Sequence, residues 1–282
     1  MTEPAEPLMK TASMNAEFYS RVSGAEELED VAPHLRHSEL KQSLFEMARR
    51  VFEQVSQTSD RPEVLDMGAG TGVLSLPLLE MGALVTAVDA AQPLLDVLVR
   101  RAAVFGTSLR PVAGDIFETA ELCLETGKKF DLICACSFLH HIPDYLKLCR
   151  MVARLIKPNG AFFSFADPLR YDTLPPMTYL LDRSFYFAWR LFQGNYVHGF
   201  KTFVRRLRRI YREDEPADMI EYHVVRNGVD QEAIRLLFET EGFTCDIQKY
   251  WSTPSALPEY FGIKLGLTNS FAVVATKQDL RT

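Results

Sequence analysis

With 282 residues, 47% of them hydrophobic and 24% charged, the chain is long enough for one sizeable core and has the composition of an ordinary globular protein. A net charge of -6 gives no global attraction to nucleic acid, and five cysteines, an odd number without zinc-ligand spacing, point to neither a disulfide framework nor a metal centre. The first residues lack the basic start and apolar stretch of a signal peptide, and no run approaches the ~18 apolar residues of a membrane span, so a cytoplasmic location is the default expectation.

Residues 1 to about 13 read as a proline- and acid-bearing tail. From Ser38 onward, Leu40, Leu44, Phe45, Ala48, Val51, Phe52 and Val55 recur at helical spacing, which predicts a long amphipathic helix packed on a sheet. Glu63 to Gly72 reads as a strand entering a glycine loop, in which Gly68, Gly70 and Gly72 let the backbone turn tightly and approach a ligand before a helix begins near Val73. A dinucleotide fingerprint would need glycine where Val73 stands, and a phosphate-gripping loop would need a Gly-Lys-Ser/Thr that is absent. The loop is therefore not built for pyrophosphate.

About twenty residues after the first glycine, the run Ala83 to Val88 ends in Asp89, where a carboxylate at a strand tip can accept both hydroxyls of a ribose. Asp115 closes the next short run. With Asp66 these acids make a surface suited to a cationic or hydroxyl-rich adenosine ligand and hostile to phosphate; S-adenosylmethionine, with a sulfonium, an ammonium, a ribose and no phosphate, fits. Helix signals at 73 to 81 and 92 to 105 end near Gly82 and Gly106. Phe130 to Cys136 is the fourth strand, and Phe162 to Ala166 the fifth, introduced by a turn at Lys157-Pro158-Asn159-Gly160. Asp230 caps a helix through Thr240, and Phe243 to Tyr250 and Ser270 to Thr276 read as the last two strands. Such alternation predicts a parallel sheet with its ligand at the carboxyl ends.

The ordered set Val-Leu-Asp-Met-Gly-Ala-Gly-Thr-Gly, Ala-Val-Asp-Ala at 87 to 90, Gly-Asp-Ile-Phe at 114 to 117, Phe-Asp-Leu-Ile with Ser-Phe-Leu-His-His-Ile-Pro-Asp within 130 to 144, and Leu-Ile-Lys-Pro-Asn-Gly-Ala at 155 to 161 resembles a class I S-adenosylmethionine-dependent methyltransferase of the small-molecule, natural-product type. The resemblance is close over roughly residues 60 to 168. It implies an α/β fold: a doubly wound, seven-stranded, mostly parallel sheet with N-terminal helices and a helical lid inserted after strand 5. The corresponding division is 1–57 (tail and cap helices), 58–167 (cofactor-binding core), 168–228 (lid and substrate insert) and 229–282 (last part of the core, with Ser270 to Thr276 as the reversed strand). It implies S-adenosyl-L-methionine as cofactor and S-adenosyl-L-homocysteine as product. The cofactor contacts would come from Asp66, Gly68, Ala69, Gly70, Thr71, Gly72, Asp89, Ala90, Asp115, Ile116, Ser137 and Phe138. Phe18, Tyr19 and His34 lie in a stretch that closes over the cofactor in similar methyltransferases; Tyr19 is a candidate contact, beside the plainer reading of ordinary aromatic packing.

The insert from Pro168 to about Tyr222 is rich in aromatics. Among them Tyr171, Tyr179, Phe187 and Tyr196 are candidates to wall an apolar acceptor, with packing against the sheet an equal alternative. Residues 203–212 form a basic amphipathic stretch that could make weak contact with a membrane surface, although a solvated face paired with Glu213-Asp214-Glu215 is the preferred reading.

Methyl transfer needs an attacking atom in line with the sulfonium methyl at about 3 Å, and a base only where the nucleophile is protonated. His140 and His141, just past the fourth strand, and Asp167, just past the fifth, are the catalytic candidates: His140 as base, Asp167 as its partner, His141 second, with the alternative that His141 only shapes the family's His-Ile-Pro-Asp turn. The chain has neither the Asn/Asp-Pro-Pro-Tyr/Phe motif of nucleic-acid amine methyltransferases nor the paired acids of metal-dependent catechol enzymes. The expected activity is methylation of an aromatic or terpenoid-like small molecule, O slightly ahead of N or C. A lipid or quinone methyltransferase at a membrane surface is the rival, and a non-catalytic adenosylmethionine-binding regulator the alternative of another class. Expected partners are the small-molecule acceptor and no nucleic acid; homo-oligomerisation is left open.

Overall fold

The computed structural model of the chain describes residues 14, 17, 32–192 and 222–278, without the side chains of 33, 34, 186–192 and 225. Two helices, α1 (Pro33–Arg36) and α2 (Ser38–Val55), precede the sheet. Then come β1 (Glu63–Met67), α3 (Ser75–Glu80), β2 (Leu84–Asp89), α4 (Gln92–Arg101), β3 (Leu109–Ala113), α5 (Ile116–Thr126), β4 (Phe130–Cys136), α6 (Tyr145–Leu155) and β5 (Ile156–Pro168). After β5 lie α7 (Pro176–Phe192), α8 (Tyr222–Val225), α9 (Gln231–Thr240), β6 (Phe243–Tyr250), α10 (Ala256–Lys264) and β7 (Ser270–Lys277).

The strands form one seven-stranded sheet in the order β3-β2-β1-β4-β5-β7-β6. β1 to β5 pair in parallel, and β7 runs antiparallel to both β5 and β6. β6 therefore points the same way as β5. The carboxyl ends of β1, β2, β4, β5 and β6 consequently share one rim, where doubly wound sheets bind ligands.

Alternation along each strand sends side chains to two cores. Val64, Leu132, Cys134 and Phe163 pack with the apolar face of α2, including Leu44, Val51 and Val55. Leu65, Ile133 and Phe162 face the other layer, where Phe162 stacks on Phe238 of α9 with ring centres 5.0 Å apart. Local capping sets where helices begin: Asp115, Asp144 and Asp230 each accept a backbone N–H, from Phe117, Lys147 and Ala233 respectively.

Two expectations need correction. The fifth strand is longer than Phe162 to Ala166, and the turn at Lys157 to Gly160 lies inside it as a bulge, between the pairs Phe130↔Ile156 and Leu132↔Ala161. The bulge is stabilised electrostatically, because Lys157 Nζ donates to Glu63 (2.9 Å) and Asp131 (2.8 Å), and the Glu63 N–H donates to Asp131 (2.8 Å). Helix 92 to 105 is also shorter: α4 stops at Arg101, and residues 103–108 continue as a tighter 3-10 turn.

Candidate functional site

The ends of β1, β2 and β4 open into a cavity of about 230 Å³. Its floor is the glycine loop, to which Gly68, Ala69, Gly70 and Thr71 contribute directly. Gly68 adopts a left-handed backbone (φ +68°), and a Cβ there would sit 2.2 Å from the Phe138 ring, so only glycine lets Phe138 close down on the loop. Gly72 does not reach the cavity wall; a Cβ there would strike Leu98, which makes it a packing position against α4.

Asp89, the last residue of β2, fixes the loop. One carboxylate oxygen accepts the Gly70 N–H (2.8 Å) and the other the Ala91 N–H (2.8 Å). Burial pushes its pKa up and the two N–H donors oppose that. Asp66 is buried and accepts from Ser75 Oγ (2.6 Å); burial raises its pKa to about 6 against the pull of that hydrogen bond. Asp115 spends one oxygen on the Phe117 N–H (2.6 Å). Ala90, Ile116, Ser137 and Phe138 also line the cavity.

The lining fits an adenosine-type cation better than a phosphate. Three carboxylates face the space, and among the described lining residues there is no Lys or Arg. A Cβ at Gly70 would meet nothing within 4 Å, so bare backbone is presented where a ligand can approach closely. Apolar walls come from residues that sequence reasoning did not single out: Leu35, Val73, Leu74, Val88 and Ile142. Leu35 sits on the four-residue α1, too short to carry a periodic signal.

A left-handed residue, Ser137 (φ 53°), follows β4, another, Ala166 (φ 67°), lies in the irregular last part of β5, and the Ser137 N–H donates to Phe165 O (2.7 Å). The chain then makes a 3-10 turn over Leu139–His141. Asp167 Oδ1 accepts from both the His140 N–H (3.0 Å) and His140 Nδ1 (2.8 Å), so the expected pairing of these two residues is present. Both are buried, however. Burial drives each towards its neutral form, with Asp167 raised to about 7 and His140 lowered to about 3.

His140 is absent from the cavity wall, whereas His141, its ring centre 4.0 Å from that of His140, is on it. Of the two candidate bases, His141 is thus the one that faces the cavity and His140 the one paired with Asp167. His223 of α8, not anticipated, donates from Nε2 towards Ile142 O (3.0 Å) and Pro143 O (3.2 Å), and steadies the loop after the pair. Tyr250, also unanticipated, accepts the Ala166 N–H on its hydroxyl (2.9 Å). Both are too distant in sequence to have left a local signal.

Tyr171 is buried, donates to Val224 O (2.9 Å) and carries the Arg183 guanidinium 4.2 Å above its ring. It is not part of the cavity wall; it helps seat α7, which Asp182 also ties down by accepting from Asn269 (2.7 Å). Tyr179 is partly exposed on the same helix and likewise absent from that wall. Tyr19, the side chain of Phe187, Tyr196 and the stretch 203–212 lie outside the described residues.

Residues 64–160 match a family described as a methyltransferase domain. The chain carries a methyltransferase domain over these residues. A ubiquinone biosynthesis O-methyltransferase of Coxiella burnetii is 36% identical over 100 residues, which are 36% of this chain and 41% of that protein. The match thus spans about two-fifths of the length of that curated relative. Magnesium protoporphyrin IX methyltransferase from Synechocystis, solved with bound S-adenosylmethionine, superposes with a TM-score of 0.53 at 13% identity, covering 95% of this chain and 97% of its own. The 1,6-didemethyltoxoflavin-N1-methyltransferase of Burkholderia thailandensis does so with a TM-score of 0.51 at 18% identity, covering 99% and 93%. At such identities the structural likeness concerns the fold, and the sheet order of this methyltransferase domain agrees with it. Among the described residues no helix is long and apolar enough to cross a membrane.

Proposed function

We propose that the chain transfers a methyl group from S-adenosyl-L-methionine to a hydrophobic small molecule, with oxygen the favoured acceptor atom, and releases S-adenosyl-L-homocysteine. The observation that carries this reading is the half-buried Asp89 carboxylate, held by the Gly70 and Ala91 N–H groups at the edge of an acid-lined cavity without described cations. Asp89 keeps lone pairs for ribose hydroxyls, Asp66 and Asp115 favour positive charge nearby, and the glycine loop admits close approach. The cofactor, when bound, supplies an electrophilic methyl on a sulfonium. His141, on the wall, is the side chain placed to take the proton of a hydroxyl acceptor; Asp167, by gripping the His140 N–H and ring, holds the turn that presents it. The insert 168–228 is read as the cover on the acceptor side.

A second reading, methylation of a quinone or lipid, is supported by the likeness of part of the chain to ubiquinone biosynthesis O-methyltransferases. Calorimetric titration with S-adenosylmethionine and S-adenosylhomocysteine tests the cofactor site. Micromolar binding by the native chain, weakened at least ~100-fold in Asp89→Ala, is expected, since the variant frees two N–H groups and removes the ribose acceptor. No binding by the folded native chain would reduce the glycine loop to scaffold. Binding without methyl uptake by any phenol, indole, prenylated compound or quinone would instead support a regulator.

A further inference from the structure

Helix α10, inserted between β6 and β7, is largely apolar and turns its large apolar side chains outward. Leu257, Tyr260, Phe261 and Leu265, at i, i+3, i+4 and i+8, are 68%, 57%, 52% and 67% exposed, with Ile263 beside them at 44%. The face turned inward holds the buried Glu259 and Gly262 instead. Gly262 lies flat against Trp251, where a Cβ would fall 2.0 Å from the indole nitrogen, and Glu259 accepts the Thr253 N–H (2.6 Å). The apolar face is therefore not a core face left bare by accident; packing holds it outward.

Its place in the fold gives that face a use. Because β6 points the same way as β5, α10 lies on the ligand-binding rim. The loop before it is tied to the helices over the cavity, by Arg36 donating to Pro254 O (3.1 Å) and a His37 Nε2 bond to Thr253 O (2.8 Å). Leu35, next to Arg36, lines the cavity. The exposed charges near the apolar row are Lys264, whose ammonium lies 5.6 Å from the Tyr260 ring centre, and Arg36, with the exposed Glu39 of α2 an anion close to them. Glu259 is buried, and Glu39 of α2 acts on it from nearby.

We propose that α10 docks the chain on an anionic lipid surface, with Leu257, Tyr260, Phe261, Ile263 and Leu265 entering the boundary between headgroups and acyl chains and with Lys264 and Arg36 at the phosphate level. The apolar row offers on the order of 500 Å², as much as the largest apolar patch of a typical monomer, a kind of patch that is often functional. Leucine and aromatic side chains beside a snorkelling lysine suit a lipid interface. The inference does not rest on methyl transfer, because vesicle binding reads α10 and calorimetry reads the cavity.

Flotation with phosphatidylcholine vesicles containing about a quarter phosphatidylglycerol tests it. The native chain is expected to float, and Leu257→Asp/Phe261→Asp to lose roughly tenfold or more in partitioning. Lys264→Glu should weaken binding to the anionic vesicles and leave that to pure phosphatidylcholine unchanged. Leu122→Asp/Leu236→Asp, which alters exposed leucines on α5 and α9, should float as the native chain does. All four positions changed to Asp are exposed, so circular dichroism and Tm should match the native chain and cofactor titration should be unaltered. Failure of the folded native chain to float, or equal flotation of the α10 double variant, would overturn the proposal. So would a native dimer in sedimentation that the same variant splits without vesicles, since the face would then belong to a second copy.

Discussion

The two halves of the ligand-binding rim are held together by contacts of different range. On the β1–β2 side most polar ties are local: Asp89 reaches Ala91 two residues on and Gly70 nineteen residues back, Asp66 meets Ser75 nine away, and Asp115 caps its own helix, with the Asp66–Cys134 hydrogen bond the longer-range exception. On the β5–β6 side the partners are far apart: Asp167 with His140 at 27 residues, Ala166 with Tyr250 at 84, Asp182 with Asn269 at 87, and His37 with Thr253 at 216. A locally tied half can keep its shape while the other half varies. A half closed by distant contacts forms only when the whole sheet is in place, and it is the half suited to carry whatever distinguishes one acceptor from another.

The largest expected effect separates the adjacent histidines. With a hydroxyl acceptor, His141→Ala should lower turnover by about 10² to 10⁴ while cofactor affinity measured by calorimetry stays near native. An unchanged kcat would remove it as the base. On the local side, Gly68→Val forces a side chain into the Phe138 ring on a left-handed backbone, and cofactor affinity should fall about 100-fold with far-ultraviolet dichroism preserved. If the affinity survived, the loop would not be the cofactor floor.

The buried pair gives a pH signature. Between about pH 4 and 6.5 it binds one proton in either state: folded, on a carboxyl raised to about 7 beside a histidine lowered to about 3; unfolded, on a histidine near its ordinary value beside an ionised carboxylate. The pair therefore adds no slope to stability over that range. Asp167→Asn leaves His140 to titrate alone. The unfolded chain then binds more protons below pH ~6.5, and stability should fall by a few kcal/mol as pH drops from there towards 3. Urea midpoints across that range check this, and native and variant curves that run parallel would contradict it. The smallest effect belongs to the long-range side: Asp182→Ala leaves the buried Asn269 amide short of an acceptor, costs about 1–3 kcal/mol, and should lower Tm without altering cofactor affinity. An affinity loss matching the stability loss would mean that the two halves are not separable.

The same division of range decides what could be read from the chain. The sheet was legible almost strand by strand, because hydrophobic runs, glycine punctuation and strand-end acids are short-range signals, and β1, β4 and β6 fall where they are expected. Most of the polar lining of the cavity was legible for the same reason. α6 was not anticipated, although Leu148, Cys149, Val152 and Leu155 recur on its buried side. α10 left nothing to read: its apolar residues point outward and its inward face is a glycine and a carboxyl, so periodicity finds no core side. Which of His140 and His141 faces the cavity was equally out of reach. It depends on which of two neighbours a 3-10 turn points at Asp167, and adjacent residues on such a turn face different ways.

The Lys157 bulge lies on the opposite rim. There Lys157 bridges Glu63 at the start of β1 and Asp131 in β4, and Lys128 also pairs with Glu63, so three neighbouring strands are cross-tied at their amino ends. Among the described residues no lysine or arginine cross-ties the carboxyl ends of β1 and β4 at the cavity, where an Asp66–Cys134 side-chain hydrogen bond joins the two strands. The sheet should then breathe like a hinged fan, its amides exchanging with solvent most slowly near Glu63 and Asp131 and fastest around Ser137. A ligand seated between the loose tips would close the fan, and its occupancy would be read out as heat resistance and slowed exchange far from its own atoms.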